Sequence, residues 1–283
     1  MNMKYKLEQT TRLGNRVANE DRIGIAESEN AVLLIVADGM GGYRGGQIAS
    51  RALVNSMVRQ FKRKTFPMEN PKAFLKELIS DAHIAVIGAG NEQYPPIEPR
   101  TTCVVCLIQE GKAWWAHVGD SRLYLLSEGK VQERTIDHSK IEELRRKGSI
   151  SEKDLEKHPQ RHLVTRCIGF QQHPPIPAIS NGVELKTHDM LLLCTDGLWG
   201  SLDDDIIANM IFEKSLDKAI EGMAYQAEFS AYPSSDNISV VALQWLSSEL
   251  KDSEGIEKVS EHTEETDKVS QTLDDLDKAL GNN

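Results

Sequence analysis

Four short segments set acidic residues beside glycines or at the ends of apolar runs: Asn19-Glu20-Asp21, Asp38-Gly39-Met40-Gly41-Gly42, Asp196-Gly197-Leu198-Trp199 and Asp236-Asn237. A carboxylate at a strand end can leave the sheet, and an adjacent glycine lets the backbone approach a ligand closely. Each segment alone is a weak signal, because Asp-Gly is also an ordinary turn. Together they carry more weight. Asp38, Asp196 and Asp236 each adjoin a strong apolar run, as residues gathered at one edge of a sheet system do. Clustered carboxylates repel one another unless cations neutralise them. Oxygen ligands suit magnesium or manganese better than zinc, for which His and Cys ligands are expected. The chemistry implied is hydrolysis assisted by two divalent cations.

Positioning such a cluster requires strands that end together. The run AVLLIVADGMGG reads as a buried strand opening into a loop. A helix is expected next: Ala49, Leu53, Met57 and Phe61 recur every four residues, and the basic end RQFKRK suits a helix C-terminus. A second helix is expected from about Pro71, with Phe74, Leu75, Leu78, Ala82 and Val86 on one side. From Thr101 the texture changes to β-rich segments joined by Glu-Gly-Lys turns, which predicts an antiparallel meander. Residues 139–165 are polar and weakly patterned. A strand (MLLLCT), two helices and a last strand (NISVVALQWL) follow. Helices segregated from hairpins make this an α+β chain.

At 283 residues with 40% apolar residues, the chain can bury a core of its own. No run has the length and lack of charge of a membrane span, and the start MNMKYKLEQTTRLG has no signal-peptide pattern, so a cytoplasmic location is expected. Cys103, Cys106, Cys167 and Cys194 are too scattered for a disulfide framework. The Cys103–Cys106 CxxC lacks a second half and reads as core packing. A net charge of −10 argues against nucleic acid as a partner. From Ser247 to Asn283, eleven Asp or Glu face four Lys, a balance of −7 that leaves −3 for residues 1–246. With few large aliphatics and no aromatics, residues 247–283 read as an acidic, disordered tail.

The segments RVANED, VADGMGG, VGDSRLY, DHS at 137–139, LVTRCIG, CTDGLWG and SSDNISVV occur in the order seen in the metal-dependent PPM (PP2C-type) protein phosphatases, which residues 1–246 resemble. DGMGG is similar to the bacterial branch, and the whole to phosphatases that partner Hanks-type kinases, including the kind associated with type VI secretion. The resemblance implies a four-layer αββα sandwich of two mainly antiparallel β-sheets flanked by helices, with the metal site at one end. It implies that Asp38 bridges two Mn²⁺ or Mg²⁺ ions, that Asp196 and Asp236 complete the first site, and that the Gly39 carbonyl joins the second. Glu20 would hold second-site water, Asp21 would support the cluster, and Asp120 would help bind a weaker third ion. Arg16 falls where the family grips substrate phosphate, a role that suits the fixed donors of a guanidinium. Residues 139–165 correspond to the variable flap beside the active site.

Two departures from the family pattern stand out. Met40 lies where many relatives carry a His proposed as leaving-group acid, and a thioether cannot donate a proton. Gly200 lies where many carry a further Asp for the third ion. His117, His138, His158 and His162 lie near the motifs, yet a lone His is more often packed or solvated than catalytic. The expected protein is thus a monomeric Ser/Thr phosphatase opposing a cognate kinase, acting on phosphorylated proteins and binding neither nucleic acid nor membrane. A phosphoprotein-binding pseudophosphatase and a small-molecule phosphatase are the alternatives.

Overall fold

In the computed structural model, the residues described are 2–40, 45–150, 160, 163–172 and 174–249. The chain divides into two units, Met1–Leu250 and Lys251–Asn283, and the second, with the expected tail from residue 250 onward, lies outside the described residues.

The first unit is built on two antiparallel sheets. One has the order β1 (Asn2–Arg12), β13 (Ile238–Glu249), β12 (Met190–Cys194), β8 (Arg122–Ser127), β9 (Lys130–Arg134). The other runs β10 (Ala178–Ile179), β7 (Lys112–Val118), β6 (Cys103–Gln109), β3 (Ala31–Ala37), β2 (Arg22–Ser28), with β11 (Val183–Glu184) also on β7. A two-residue ladder joins β4 (Gly39–Met40) to β5 (Arg100–Thr101). The helices are α1 (Gly45–Phe61), α2 (Pro71–Asn91), α3 (Lys140–Arg146), α4 (Asp196–Trp199), α5 (Asp204–Glu213) and α6 (Leu216–Ser230).

The unbroken apolar runs arise because both faces of each central strand are covered. Val32, Leu34 and Val36 of β3 meet Leu191, Leu193, Val241 and Leu243 between the sheets. The alternate residues Leu33, Ile35 and Ala37 pack on Ala49, Leu53 and Met57 of α1 and on Leu75 and Leu78 of α2. On the far side, Leu192, Val240 and Ala242 pack on Ile207, Ile211, Ile220 and Met223 of α5 and α6. Three apolar layers between four structural layers make this the expected αββα sandwich. The same alternation separates the CxxC, since Cys103 faces the helices and Cys106 the space between the sheets.

Three expectations need correction. The segment from Thr101 is not one meander. The Glu110-Gly111 and Glu128-Gly129 turns do close hairpins, with both residues of each in the left-handed region that such turns demand. At Gly119 (φ +104°) the chain instead crosses between sheets, because β10 and β11 occupy the open edge of β7 while β8 pairs with β12. Asp120 is thereby carried to one end of the sandwich. The last strand also outlasts the boundary expected at Leu246: Ser247, Ser248 and Glu249 pair with Lys4, Met3 and Asn2, since backbone pairing needs no apolar side chain. Within 139–165, where only a weak pattern was expected, Ser139 caps α3 by accepting from the Glu142 amide, while residues 151–159 and 161–162 lie outside the described residues.

Candidate active site

The carboxylates meet where several elements end at the same edge. Asp38 follows β3, Asp196 opens α4 directly after β12, Asp236 precedes β13, Asp120 sits at the β7–β8 crossover, and Glu20 precedes β2. All of them, with Arg16 and Gly39, line one cavity of about 570 Å³, and Met40 faces it too. Asp21 stands apart from that lining, buried behind it, where its Oδ2 accepts from Thr195 Oγ1 at 2.9 Å. The candidate residues thus form one constellation, with Asp21 in a supporting position. Gly41 and Gly42 lie outside the described residues.

The Asp-Gly pairs have a reason other than turning. Neither Gly39 nor Gly197 has a positive φ. Each is a point where two backbones touch: a Cβ on Gly39 would lie 2.3 Å from the Gly46 carbonyl oxygen, and one on Gly197 would lie 2.1 Å from that of Asn237. Side chains here would push apart the segments that carry the acids. Gly39→Ala should therefore shift the backbone beside Asp38 and reduce kcat about 100-fold, as misplacement of roughly 1 Å does. The check is steady-state hydrolysis of a phosphothreonine peptide, with circular dichroism to confirm retained fold; a near wild-type rate would mean the contact can relax.

Electrostatically the site holds more negative charge than its burial tolerates. Burial, then the charges of Asp196, Asp21, Asp120 and Asp236, drives the Asp38 carboxyl well above the ordinary carboxylate range. Burial and then Asp236 push Asp196 up to about 6 against a hydrogen bond from Asp38. Burial pushes Asp21 up to about 7, opposed by the Thr195 hydroxyl. Asp120 rises for the same reasons, with Asp196 and Asp137 adding to burial, and Glu20 rises chiefly through burial. Only one cationic side chain answers from within the cavity lining: Arg16 Nη2 donates to Asp236 Oδ2 at 2.6 Å.

An all-oxygen donor set that resists sharing one space is what hard divalent cations neutralise, so the residues suit such ions. Among the described residues no three acidic, His or Cys side chains stand at ready-made ligand spacing. The acids take protein partners instead, Asp236 from Arg16 and Asp196 from Asp38.

Several polar residues that hold the acids escaped sequence reasoning. Thr102 Oγ1 accepts from the Asp38 amide at 3.0 Å, and the Asp38 carbonyl accepts from both the Thr102 amide and Thr101 Oγ1 at 2.8 Å. Asn237 Oδ1 accepts from the Glu20 amide at 2.8 Å, while its Nδ2 donates to the Leu13 carbonyl. The available signal was a Thr-Thr pair heading an apolar strand and an Asn beside an acid. His117 and His138 are not in the cavity lining; they stack at 4.7 Å, burial lowers both, His138 to about 3, and their nitrogens bond the backbone, His138 Nδ1 accepting from the Gly119 amide at 3.2 Å and His117 Nε2 meeting the Ile136 carbonyl at 2.8 Å. His158 and His162 lie outside the described residues.

This fold and site have counterparts among known proteins. A family model described as "Protein phosphatase 2C" matches residues 8–228. The serine/threonine phosphatase stp of Listeria welshimeri is 30% identical over 230 residues, covering 80% of this chain and 90% of its own. The structure of the S. agalactiae serine/threonine phosphatase superposes with a TM-score of 0.79 at 28% identity, covering 86% of this chain and 100% of that one. The catalytic domain of the phosphatase PstP, solved in complex with two manganese ions, superposes with a TM-score of 0.71 at 25% identity over 86% of this chain and 99% of that one. With the family pattern running through most of its sequence and the fold shared over a similar span, the chain belongs to the PP2C family of protein phosphatases.

Proposed function

We propose that this protein removes phosphate from phosphoserine and phosphothreonine in other proteins, in a divalent-metal-dependent reaction that opposes a Ser/Thr kinase. The carrying observation is the convergence of Asp38, Asp120, Asp196, Asp236 and Glu20, delivered by separate elements, on one cavity that also holds Arg16. Asp38, Asp196 and Asp236 would be the principal ligands of a pair of Mn²⁺ or Mg²⁺ ions, with the Gly39 carbonyl joining the second and Glu20 holding water beside it. Such ions, when bound, neutralise charge on phosphoryl oxygens and ease deprotonation of an attacking water.

The chain's own groups do the rest. Arg16, half exposed at the cavity mouth, can exchange its bond with Asp236 for substrate phosphate, whose anionic oxygens accept from the guanidinium N–H groups as a carboxylate does. Asp21 and Thr195 fix the base of Asp196, and Thr101 and Thr102 fix that of Asp38. Met40 supplies no proton. All three principal acids are present, which favours an enzyme over a phosphoprotein-binding relative without turnover. The reading extends to a cytoplasmic monomer with a catalytic domain ending near Glu249. It is consistent with the lack, among the described residues, of a helix long and apolar enough to cross a membrane.

The test is manganese- or magnesium-dependent phosphate release from a phosphothreonine peptide, silenced by chelator. Faster turnover of nucleotides or sugar phosphates would favour the small-molecule alternative. A weaker third ion at Asp120 is part of the same proposal. Asp120→Ala should leave tight binding of two ions intact, counted by calorimetry, yet lower kcat across a manganese titration; unchanged kcat at every concentration would remove Asp120 from the reaction. Gly200→Asp does not simply restore a ligand, because a Cβ there would come 2.7 Å from the Asp196 carbonyl.

A further inference from the structure

Beside the cavity lies an apolar ledge that the reaction itself does not need. Val17 lines the cavity mouth and is 89% exposed. Leu13 is exposed close by, its carbonyl bonded to Asn237. The Asn15 amide donates to the Ser235 carbonyl, tying this loop to the segment that descends from α6. On that segment Phe229 and Tyr232 are 72% and 71% exposed, the Tyr232 amide bonds back to the Phe229 carbonyl, and Tyr225 stacks on Phe229 with ring centroids 6.3 Å apart. Arg12, bonded to Glu228 and set over the Tyr225 ring, rims the patch with charge.

Aromatic side chains turned to water next to one another and rimmed by charge mark an interaction surface. Its place selects the occupant. Tyr232 is four residues from Asp236, so the ledge begins at most about 14 Å from the site, the reach of about four residues of extended polypeptide. A substrate whose phosphorylated residue enters the cavity brings its neighbouring residues within reach of this rim.

We propose that the ledge of Leu13, Val17, Tyr225, Phe229 and Tyr232 is a specificity surface for the phosphoprotein, taking an aromatic or large aliphatic side chain a few residues along the chain from the phosphorylated one. The proposal rests on the phosphatase reading above. The anchors Phe229 and Tyr232 touch neither the acids nor the phosphate, so they act on KM for protein substrates rather than on the chemistry.

The experiment uses the full chain and a set of phosphothreonine peptides in which one phenylalanine is walked through the flanking positions on a serine background, with p-nitrophenyl phosphate as a probe too small to reach the ledge. The wild type should prefer peptides with phenylalanine a few residues from the phosphothreonine. Phe229→Ser with Tyr232→Ser should erase that preference by about tenfold in kcat/KM, the loss typical of an aromatic anchor, and leave p-nitrophenyl phosphate hydrolysis unchanged. Equal turnover of all peptides by the wild type overturns the proposal, as does an unchanged preference in the variant. A shift from dimer to monomer in the variant, seen by light scattering, also overturns it by assigning the ledge to a second copy. Absence of wild-type hydrolysis of p-nitrophenyl phosphate would instead defeat the phosphatase reading.

Discussion

Asp38→Asn should lose turnover by on the order of 1000-fold or more, yet melt at a higher temperature than the wild type in chelator at neutral pH. Both outcomes have one cause. Asp38 faces the cavity, part-buried among Asp196, Asp21, Asp120 and Asp236, and its carboxyl is driven upward by burial and by their charge. An amide is a poor ligand for a hard cation, so function goes. The same amide carries no charge and can donate to the Asp196 carboxylate, so repulsion falls.

The pH dependence follows from the neighbours. Asp196 at about 6 and Asp21 at about 7 lie above the ordinary value of 3.8, so the folded chain holds protons that the unfolded chain releases. Stability without metal is therefore fully present below the unfolded value and is lost as pH rises through about 6 to 7. In Asp38→Asn this loss should flatten. Melting curves in chelator over that range, beside manganese-supported kinetics, measure both; a variant less stable than the wild type in chelator would show that the Asp38 carboxylate pairs favourably, against the repulsion argued here.

Much of this site was legible because its carboxylates end apolar strands, and a strand covered on both faces leaves an unbroken hydrophobic signature with a conspicuous polar stop. β3 ending at Asp38 and β12 ending at Asp196 are of this kind. The helices were equally clear: the spacing of Ala49, Leu53, Met57 and Phe61 put one face of α1 in the core. β1 and β2 were missed for the opposite reason. In β1 the apolar residues Met3, Tyr5 and Leu7 are only partly buried and alternate with polar ones, so no unbroken apolar run marks the strand. The crossover at Gly119 was invisible, since hairpin turns on either side look identical whether or not the two hairpins share a sheet. Threonines that fix Asp38 carry no spacing signal at all, because their role is set by partners far away in sequence.

Removing Arg122 should be the most damaging change outside the acids themselves. Its guanidinium meets Asp137 through two bonds of 3.0 and 2.8 Å, reaches the Tyr124 hydroxyl at 3.2 Å, and lies 3.6 Å from the centre of the Trp199 ring. Tyr124 and Arg134 both bond Asp204 at the start of α5. Trp199 ends the short helix α4 that Asp196 begins, and its indole N–H finds no acceptor among the described residues, so the Arg122 guanidinium and the apolar layer beneath α5 and α6 position it. The pair with Asp137 is nearly sealed, with side chains 11% and 12% exposed. A buried ion pair adds little net stability as a whole, but deleting one partner strands the other charge at a cost of about 3–5 kcal/mol. Arg122→Ala should therefore lose roughly that much stability, and by freeing Trp199 it should raise the manganese concentration for half-maximal activity. Arg122→Lys should rescue little, because an ammonium offers neither the two-point contact nor the flat face. Denaturant unfolding and a manganese titration of both variants separate the effects. If Arg122→Ala unfolds at the wild-type midpoint, the charge of Asp137 is met by other groups; if its manganese requirement is unchanged, Trp199 does not hold Asp196 in place.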